Sequence, residues 1–405
     1  MHPVKAEIPA DQTAEKLLLL IQDLVVEVHP QRSSMEVIGL DSRFEQDLGL
    51  DSLTRVELIA RVERHFALAL PERSFAEVET ARDLLRAMQG AVTPRARLSD
   101  SAVKAVSLGP AEAAPAEANT LLEVLDWHVE HHPERQHIQL YQDEGEGESL
   151  NYRQLKAGAA RVAAGLQQAG LQPAEPVAIM LPSGTDYFYS FIGILMGGGV
   201  PVPVYPPARP SQLEDHLLRH ARILANCRAI TLITVPEASK VARLLKSHVP
   251  GLKNIVTVSE LMASAASVSP PALGSNDIAF LQYTSGSTGN PKGVVLTHAN
   301  LLANIRAMGS TVRASPEDVF VSWLPLYHDM GLIGAWLGSL YYATLLVVMP
   351  PLSFLARPER WLWTIHRYRG TLSAAPNFGY EYCLKRIKDE DLQGLDLGSW
   401  RAAFN

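Results

Sequence analysis

Two short stretches carry residue types whose spacing suits chemistry. The first is TSGSTGNPKG, residues 284–293, directly after the apolar run DIAFLQY. Thr284, Ser285, Ser287 and Thr288 offer hydroxyls, Gly286 and Gly289 let the backbone turn its N–H groups toward an anion, and Lys292 adds a positive charge. That set suits a polyphosphate. It is not a Walker loop, because Pro291 stands where that motif has its second glycine and Gly293 where it has its hydroxyl residue. The second stretch is DLGLDSL, residues 47–53, where Ser52 marks the change from an acidic turn to an amphipathic helical pattern. A serine N-cap contributes about 1 kcal/mol. Asp51 would cap equally well, and position 55 is Arg rather than the Glu or Gln of a capping box. The other reading is covalent: a phosphodiester at a helix N-terminus is favoured by the helix dipole by roughly 0.3–1 kcal/mol, which is consistent with an attachment site but too small to create one.

Other constellations carry less. His128 and His132, and again His216 and His220, are spaced i, i+4 on helical patterns, a spacing that suits zinc. His131 and His137 lie beside the first pair. No cysteine lies near, and EHHPER reads as a helix end before a turn, so these side chains are expected to be exposed and polar. No metal ligand is assigned. MGGGVPVP, 196–203, departs from the dinucleotide fingerprint and reads as a helix end leading into a strand.

The elements that position these residues fall into two regions. Residues 13–90 are helical: Leu17, Leu20, Ile21, Leu24, Val25 and Val28 form one apolar stripe, Leu53, Val56, Ile59 and Ala60 a second, and Val78, Ala81, Leu84, Leu85 and Met88 a third. This predicts a small helical bundle. Residues 91–118, rich in Ala, Pro and Ser, predict a flexible linker. From 119 onward HIQLYQ, PVAIMLP, VPVPVYP, AITLITV, NIVTV, DIAFLQY, DVFVSWLPL and TLLVVM read as strands alternating with helical patterns such as NYRQLKAGAARVAAGLQQAG. Continuous apolar runs are the mark of strands buried on both faces, which predicts an α/β domain. SWRAAFN begins another strand at the end of the sequence, and the last element is expected to be cut within its domain.

Composition narrows the function classes. A length of 405 residues suits two or three domains, and 47% hydrophobic residues exclude global disorder. The net charge is −7, and residues 1–92, with ten Lys and Arg against sixteen Asp and Glu, hold all but one unit of it. That acidic region argues against nucleic-acid binding and for basic protein partners. Two cysteines, Cys227 and Cys383, make no disulfide framework and suit a reducing, cytoplasmic setting. The N-terminus has no apolar signal region. Gly331–Ala356 is uncharged and long enough for a membrane span, but Pro350, Pro351 and its glycines make a buried helix followed by a buried strand the better reading.

YTSGSTGNPKGVVLTHANL resembles the nucleotide-binding loop of the adenylate-forming superfamily, which includes acyl-CoA synthetases, fatty acyl-AMP ligases and peptide-synthetase adenylation domains. Over 119–405, TLLEVLDWHVEHHPER resembles the family's opening helix and SWLPLYHDMGLIG its next core motif, while PPLSFLARPERWLWTIHRYRGTLSAAPNF is most similar to the fatty acyl-AMP ligase branch. The resemblance implies a reaction of a carboxylate with ATP and Mg²⁺ to give acyl-adenylate and pyrophosphate. It implies that Thr284, Ser285, Gly286, Ser287, Thr288, Gly289 and Lys292 hold the phosphates and that His328 lies against the activated carboxylate. Asp329 occupies the place where amino-acid-activating relatives bind an ammonium, but fatty acyl-AMP ligases also read HDMGL. Trp323, Leu326, Tyr327, Met330 and Leu332 suit an acyl tunnel or plain core equally.

DLGLDSL with the acidic helices around it is similar to acyl carrier proteins, over 13–90, and SFAEVETARDLLRAM resembles their last helix. This implies a four-helix carrier bundle in which Ser52 receives 4′-phosphopantetheine from a phosphopantetheinyl transferase. The expected architecture is therefore multidomain: a carrier at 13–90, a linker at 91–118, and at 119–405 the incomplete N-terminal lobe of a fatty acyl-AMP ligase. The alternatives are an acyl-CoA ligase or amino-acid adenylation domain, and a non-catalytic carrier or docking module. The family's adenine-contacting, acidic and terminal-lysine segments are expected after Asn405, together with acyl-accepting synthase or transferase domains. The 405-residue chain alone is therefore expected to form no acyl-AMP at a useful rate.

Overall fold

The computed structural model describes residues 10–28, 38–44, 47–50, 52–66, 68, 70, 74, 78–89, 108–109, 111, 114–142, 147–205, 213–236, 238, 245–264, 267–285 and 291–405. The chain divides into two compact units, the first made of residues 1–98 and the second of almost all the rest. Most of the expected linker, 91–118, lies outside the described residues.

The first unit contains, among its described residues, the helices Ala10–Val28, Ser52–Phe66 and Ala81–Gln89. Of the apolar stripes, Leu17, Ile21 and Leu24 in the first helix, Ile59 in the second, and Ala81 and Leu84 in the third are buried, as is Val62 beside the second stripe, while the side chains of Leu53, Val56 and Ala60 lie outside what the structure describes. Phe44, Leu48 and Leu50, from the segment before the second helix, complete this core. That segment is fastened by Phe44 N–H donating to the Glu79 carbonyl at 2.9 Å and by an Arg82–Asp41 ion pair at 2.6 Å. Arg61 pairs with Glu27 across the first two helices at 2.8 Å.

The second unit is α/β. Its strands are β1 (Gln136–Leu140), β2 (Ser149–Asn151), β3 (Pro176–Met180), β4 (Val200–Pro203), β5 (Thr231–Thr234), β6 (Asn254–Val256), β7 (Ile278–Ser285), β8 (Pro291–Thr297), β9 (Val319–Ser322), β10 (Leu345–Val348), β11 (Leu372–Ala374) and β12 (Ala402–Phe404). One sheet has the order β12-β11-β9-β10-β1-β2 and is parallel except at β1–β2. A second, parallel throughout, has the order β4-β3-β5-β6. β7 and β8 form an antiparallel hairpin. Each strand expected from an apolar run is present, and β4, β5, β9 and β10 are buried at every position, as sheets covered on both faces require. β2, β8 and β11 are additional.

Gly331–Ala356 resolves into a π-helix (Met330–Leu337), a short helix (Gly338–Tyr341), the buried strand β10 and a further helix, Pro351–Ala356. Among the described residues no helix is long and apolar enough to cross a membrane. The end strand β12 is tied to β9 through Asp318, which accepts from Arg401 Nε at 2.9 Å, Arg401 Nη2 at 2.6 Å and Thr371 Oγ1 at 2.6 Å.

The histidines correct the expectation of exposure. His131 is exposed, but His128, His132, His137 and His220 are buried. The imidazoles serve as flat aromatic packing units. His128 and His137 stack on the rings of Tyr152 at 4.5 and 4.8 Å, and His128 Nδ1 lies 2.8 Å from His132 Nε2. Among the described residues no group of His, Cys, Asp and Glu is placed to hold a metal ion. Burial pushes the pKa of His128 and His137 down to about 3 and that of His298 to about 4. His298 Nδ1 also accepts the Leu121 N–H at 3.2 Å, which requires an unprotonated nitrogen. All three are neutral when folded and take up protons on unfolding below pH 6.5, so stability is flat above that pH and falls as pH drops toward the folded pKa values. At pH 5 each costs about 2 kcal/mol. Thermal unfolding of the second unit is expected to hold its midpoint between about pH 7 and 8 and to lose it steeply from about 6.5 to 5. A midpoint unchanged at pH 5 would contradict this.

Candidate active site

Thr284, Ser285 and Lys292, from the stretch expected to hold phosphates, belong to the β7–β8 hairpin. β7 runs two residues past Tyr283, where the apolar run ends, so Thr284 and Ser285 are its last members. The register places Thr284 opposite Lys292 and Ser285 opposite Pro291, which leaves a five-residue connection, 286–290. Gly286, Ser287, Thr288 and Gly289 lie in that connection, outside the described residues. Lys292 is exposed on β8. The hairpin therefore delivers the ends of the loop as a pair, with a hydroxyl residue and a lysine facing each other across the two strands.

β8 runs into the helix His298–Val312, whose N-cap Thr297 forms a capping box with Asn300. Beside this helix lies the segment that carries His328. The chain leaves β9 at Ser322, and Trp323, Leu324 and Leu326 turn inward while His328 and Asp329 are exposed. Asp329 caps the π-helix, its Oδ1 accepting the Met330 N–H at 2.8 Å. A π-helix is rare and tends to occur at functional sites. Gly331 is required where it stands, since a Cβ there would come within 2.3 Å of the Pro325 carbonyl oxygen. Partial removal of water by the surrounding protein lowers the His328 pKa, and Asp329 opposes the shift.

Two buried side chains hold this segment. Gln282 Nε2 donates to the Tyr327 carbonyl at 2.8 Å, and Tyr187 OH donates to the Leu326 carbonyl at 2.7 Å. Tyr187 belongs to the helix Thr185–Met196, which also cages Trp336 of the π-helix with Phe188 at 4.7 Å and Phe191 at 5.2 Å between ring centroids. The structure thus ties the segment that carries His328 to β7, the strand whose last residues are Thr284 and Ser285. Ser52 belongs to the other unit, as the first residue of the helix Ser52–Phe66.

A cavity of about 850 Å³ opens between the helix His298–Val312, the π-helix and the strands β9, β11 and β12. Met308, Phe320, Ile333, Gly334, Leu372 and Phe404 line it, and it reaches Asp329, the neighbour of His328. Of the five residues that suited tunnel or core equally, Met330 lines the cavity, Trp323, Leu326 and Leu332 are core, and Tyr327 is half-buried beside Tyr205. The remaining lining residues come together only through tertiary packing. Gln282 carried a legible signal, a lone amide within the apolar run IAFLQY.

Comparison with known proteins bears on both units. A family model described as AMP-binding enzyme matches residues 125–404, and one described as phosphopantetheine attachment site matches residues 21–88. A medium-chain-fatty-acid–[acyl-carrier-protein] ligase of Moorena producens is 35% identical over 296 residues, 71% of this chain and 49% of the relative. A long-chain-fatty-acid–AMP ligase of Mycolicibacterium smegmatis is 35% identical, over 65% of this chain and 42% of the relative. Among solved structures, the fatty acyl-adenylate ligase from L. pneumophila in complex with acyl adenylate and pyrophosphate matches with a TM-score of 0.64 and 36% identity, over 71% of this chain and 50% of that one. The chain spans about half the length of the curated relatives it matches.

Proposed function

Because this chain belongs to the AMP-binding enzyme family, we propose that its second unit activates a fatty or related carboxylic acid as acyl-AMP, which is then passed to a phosphopantetheine thiol. The observation that carries this reading is the apolar cavity ending at Asp329, one residue from His328, on the same unit as the phosphate hairpin. Its volume of about 850 Å³ falls within the usual range for ligand sites, about 300–1,000 Å³. In the reaction a carboxylate oxygen forms a bond to the α-phosphorus of ATP and the bond to pyrophosphate breaks. Protein groups contribute chiefly by positioning and by neutralising phosphate charge. Thr284, Ser285, Gly286, Ser287, Thr288, Gly289 and Lys292 are assigned to the phosphates, and His328 to orienting the carboxylate by its N–H. Mg²⁺ enters with the nucleotide, and no protein ligand is assigned to it.

The first unit is read as a four-helix acyl carrier over 13–90, followed by a linker over 91–118 and the AMP-binding domain from 119. Ser52 is the attachment point for 4′-phosphopantetheine, placed by a transferase, and the helix that begins there presents its positive dipole end to the phosphodiester. The acidic surface suits basic partner faces such as acyl-accepting synthase or transferase domains. The free cysteines suit a reducing compartment and support a cytoplasmic setting.

Exchange of labelled pyrophosphate into ATP by the natural protein tests the reading. Fatty acids are expected to drive exchange and amino acids are not. Amino-acid-driven exchange would favour an adenylation domain, release of acyl-CoA a CoA ligase, and no exchange with any acid a non-catalytic carrier module.

A further inference from the structure

Gln282 and Tyr187 join the two halves of the candidate site, and neither reaches a substrate itself. Gln282 is 6% exposed and stands two residues before Thr284 on β7. Its amide donates to the carbonyl of Tyr327, the residue before His328. A carbonyl only accepts, so the nitrogen end of the amide must face it. Among the described residues the Gln282 Oε1 end has no hydrogen-bond partner, so the bond to the His328 segment is the one that fixes the amide's orientation. Tyr187, 1% exposed, fixes the adjacent carbonyl of Leu326 from a different helix.

We infer that Gln282 and Tyr187 are positioning residues that clamp two consecutive carbonyls and so hold the His328 segment in register with the phosphate-binding strand. The inference rests on the proposed adenylation. There the phosphates are held from β7–β8 and the carboxylate from the His328 side, so the attack distance is set by whatever fastens one segment to the other. Gln282 does so directly. A misplacement of about 1 Å costs on the order of 100-fold in rate. Tyr187 supplies the second point that stops the segment from pivoting about the first.

The test uses Gln282→Leu, Tyr187→Phe and their double variant in the natural protein, with acyl-AMP formation and hydrogen exchange measured together. Each single variant is expected to lower kcat by about 10- to 100-fold with KM for ATP changed by less than about threefold, since the phosphate contacts remain. The double variant is expected to lose much less than the product of the two losses, because both act on one segment. Gln282→Glu adds a readout that a purely structural role would not move. Only the protonated carboxyl donates to the Tyr327 carbonyl, and burial raises its pKa, so its kcat relative to the natural protein is expected to climb as pH falls from about 8 to about 6. Amide exchange across 325–332 is expected to quicken in both single variants, whether or not the natural protein forms acyl-AMP. Unchanged exchange in that segment overturns the clamp. So does a kcat within twofold of the natural protein in folded variants, or strictly multiplicative losses. A natural protein that makes no acyl-AMP sinks the adenylation reading alone, and the exchange result still decides the clamp.

Discussion

Ser52→Ala is expected to abolish the phosphopantetheine mass increment completely when the chain is treated with a phosphopantetheinyl transferase and CoA. The loss is all-or-none because the hydroxyl oxygen is the atom that forms the phosphodiester, and a methyl group has no substitute for it. The folded unit should survive. The sequence places Asp51, a residue type favoured as an N-cap, just before the helix Ser52–Phe66, so the stability cost of the lost hydroxyl is expected to stay at or below about 1 kcal/mol. The core of Leu17, Ile21, Leu58, Ile59 and Leu84 is untouched. The measurement is intact mass beside thermal unfolding. A full mass increment in Ser52→Ala, placed on any other residue, would remove Ser52 from the account.

Gly334→Trp is expected to cut acyl-AMP formation from long-chain acids by about 100-fold while leaving short-chain acids within a few-fold of the natural protein. Gly334 lies in the π-helix on the cavity wall, and a Cβ built there meets no atom within 4 Å. Its backbone is not in the left-handed region, so a larger residue adds no backbone strain. An indole at this position projects into space that the acyl chain would fill. A loss of about 2.7 kcal/mol of binding to the chain corresponds to that 100-fold. Initial rates across a series of chain lengths check the expectation. Equal losses for short and long acids would mean that the substitution damages the site rather than shortening the cavity. Gly331, three residues away, is the contrast: the Pro325 carbonyl leaves no room for a side chain, so Gly331→Ala should reduce folding yield instead of shifting chain preference.

Much of the fold is legible in the sequence. The buried parallel strands β3, β5, β9 and β10 are continuous apolar runs in the sequence because both of their faces are covered. The three carrier helices announced themselves by stripes at helical spacing, and Leu17, Ile21, Ile59, Val62 and Leu84 do face inward. The stretch proposed to hold the phosphates stands out in the sequence by its hydroxyls, glycines and lysine, and its central residues 286–290 lie outside the described residues. β8 was not read as a strand, because PKGVVLT carries exposed valines and a lysine without alternation: Val294 and Val295 are both partly exposed. Histidine burial was misjudged because a titratable ring at i, i+4 looks polar in one dimension, whereas its fit against Tyr152 exists only in three. The cavity escaped for the same reason, since its walls are drawn from segments as far apart as Leu296 and Phe404. Gln282 was visible as an anomaly, but its partner carbonyl lies 45 residues away in the chain.

The central claim is that an acid activated on the second unit ends as a thioester on a phosphopantetheine arm. The most direct test is the mass of the phosphopantetheinylated full-length natural protein, rather than the 405-residue chain alone, after incubation with ATP, Mg²⁺ and a fatty acid. The predicted result is an added acyl mass on the peptide that carries Ser52, absent without ATP and released by hydroxylamine as a thioester requires. Acyl-AMP accumulating while the Ser52 arm stays unacylated would contradict loading of this carrier. An arm that stays bare with no acyl-AMP formed at all would contradict the account as a whole.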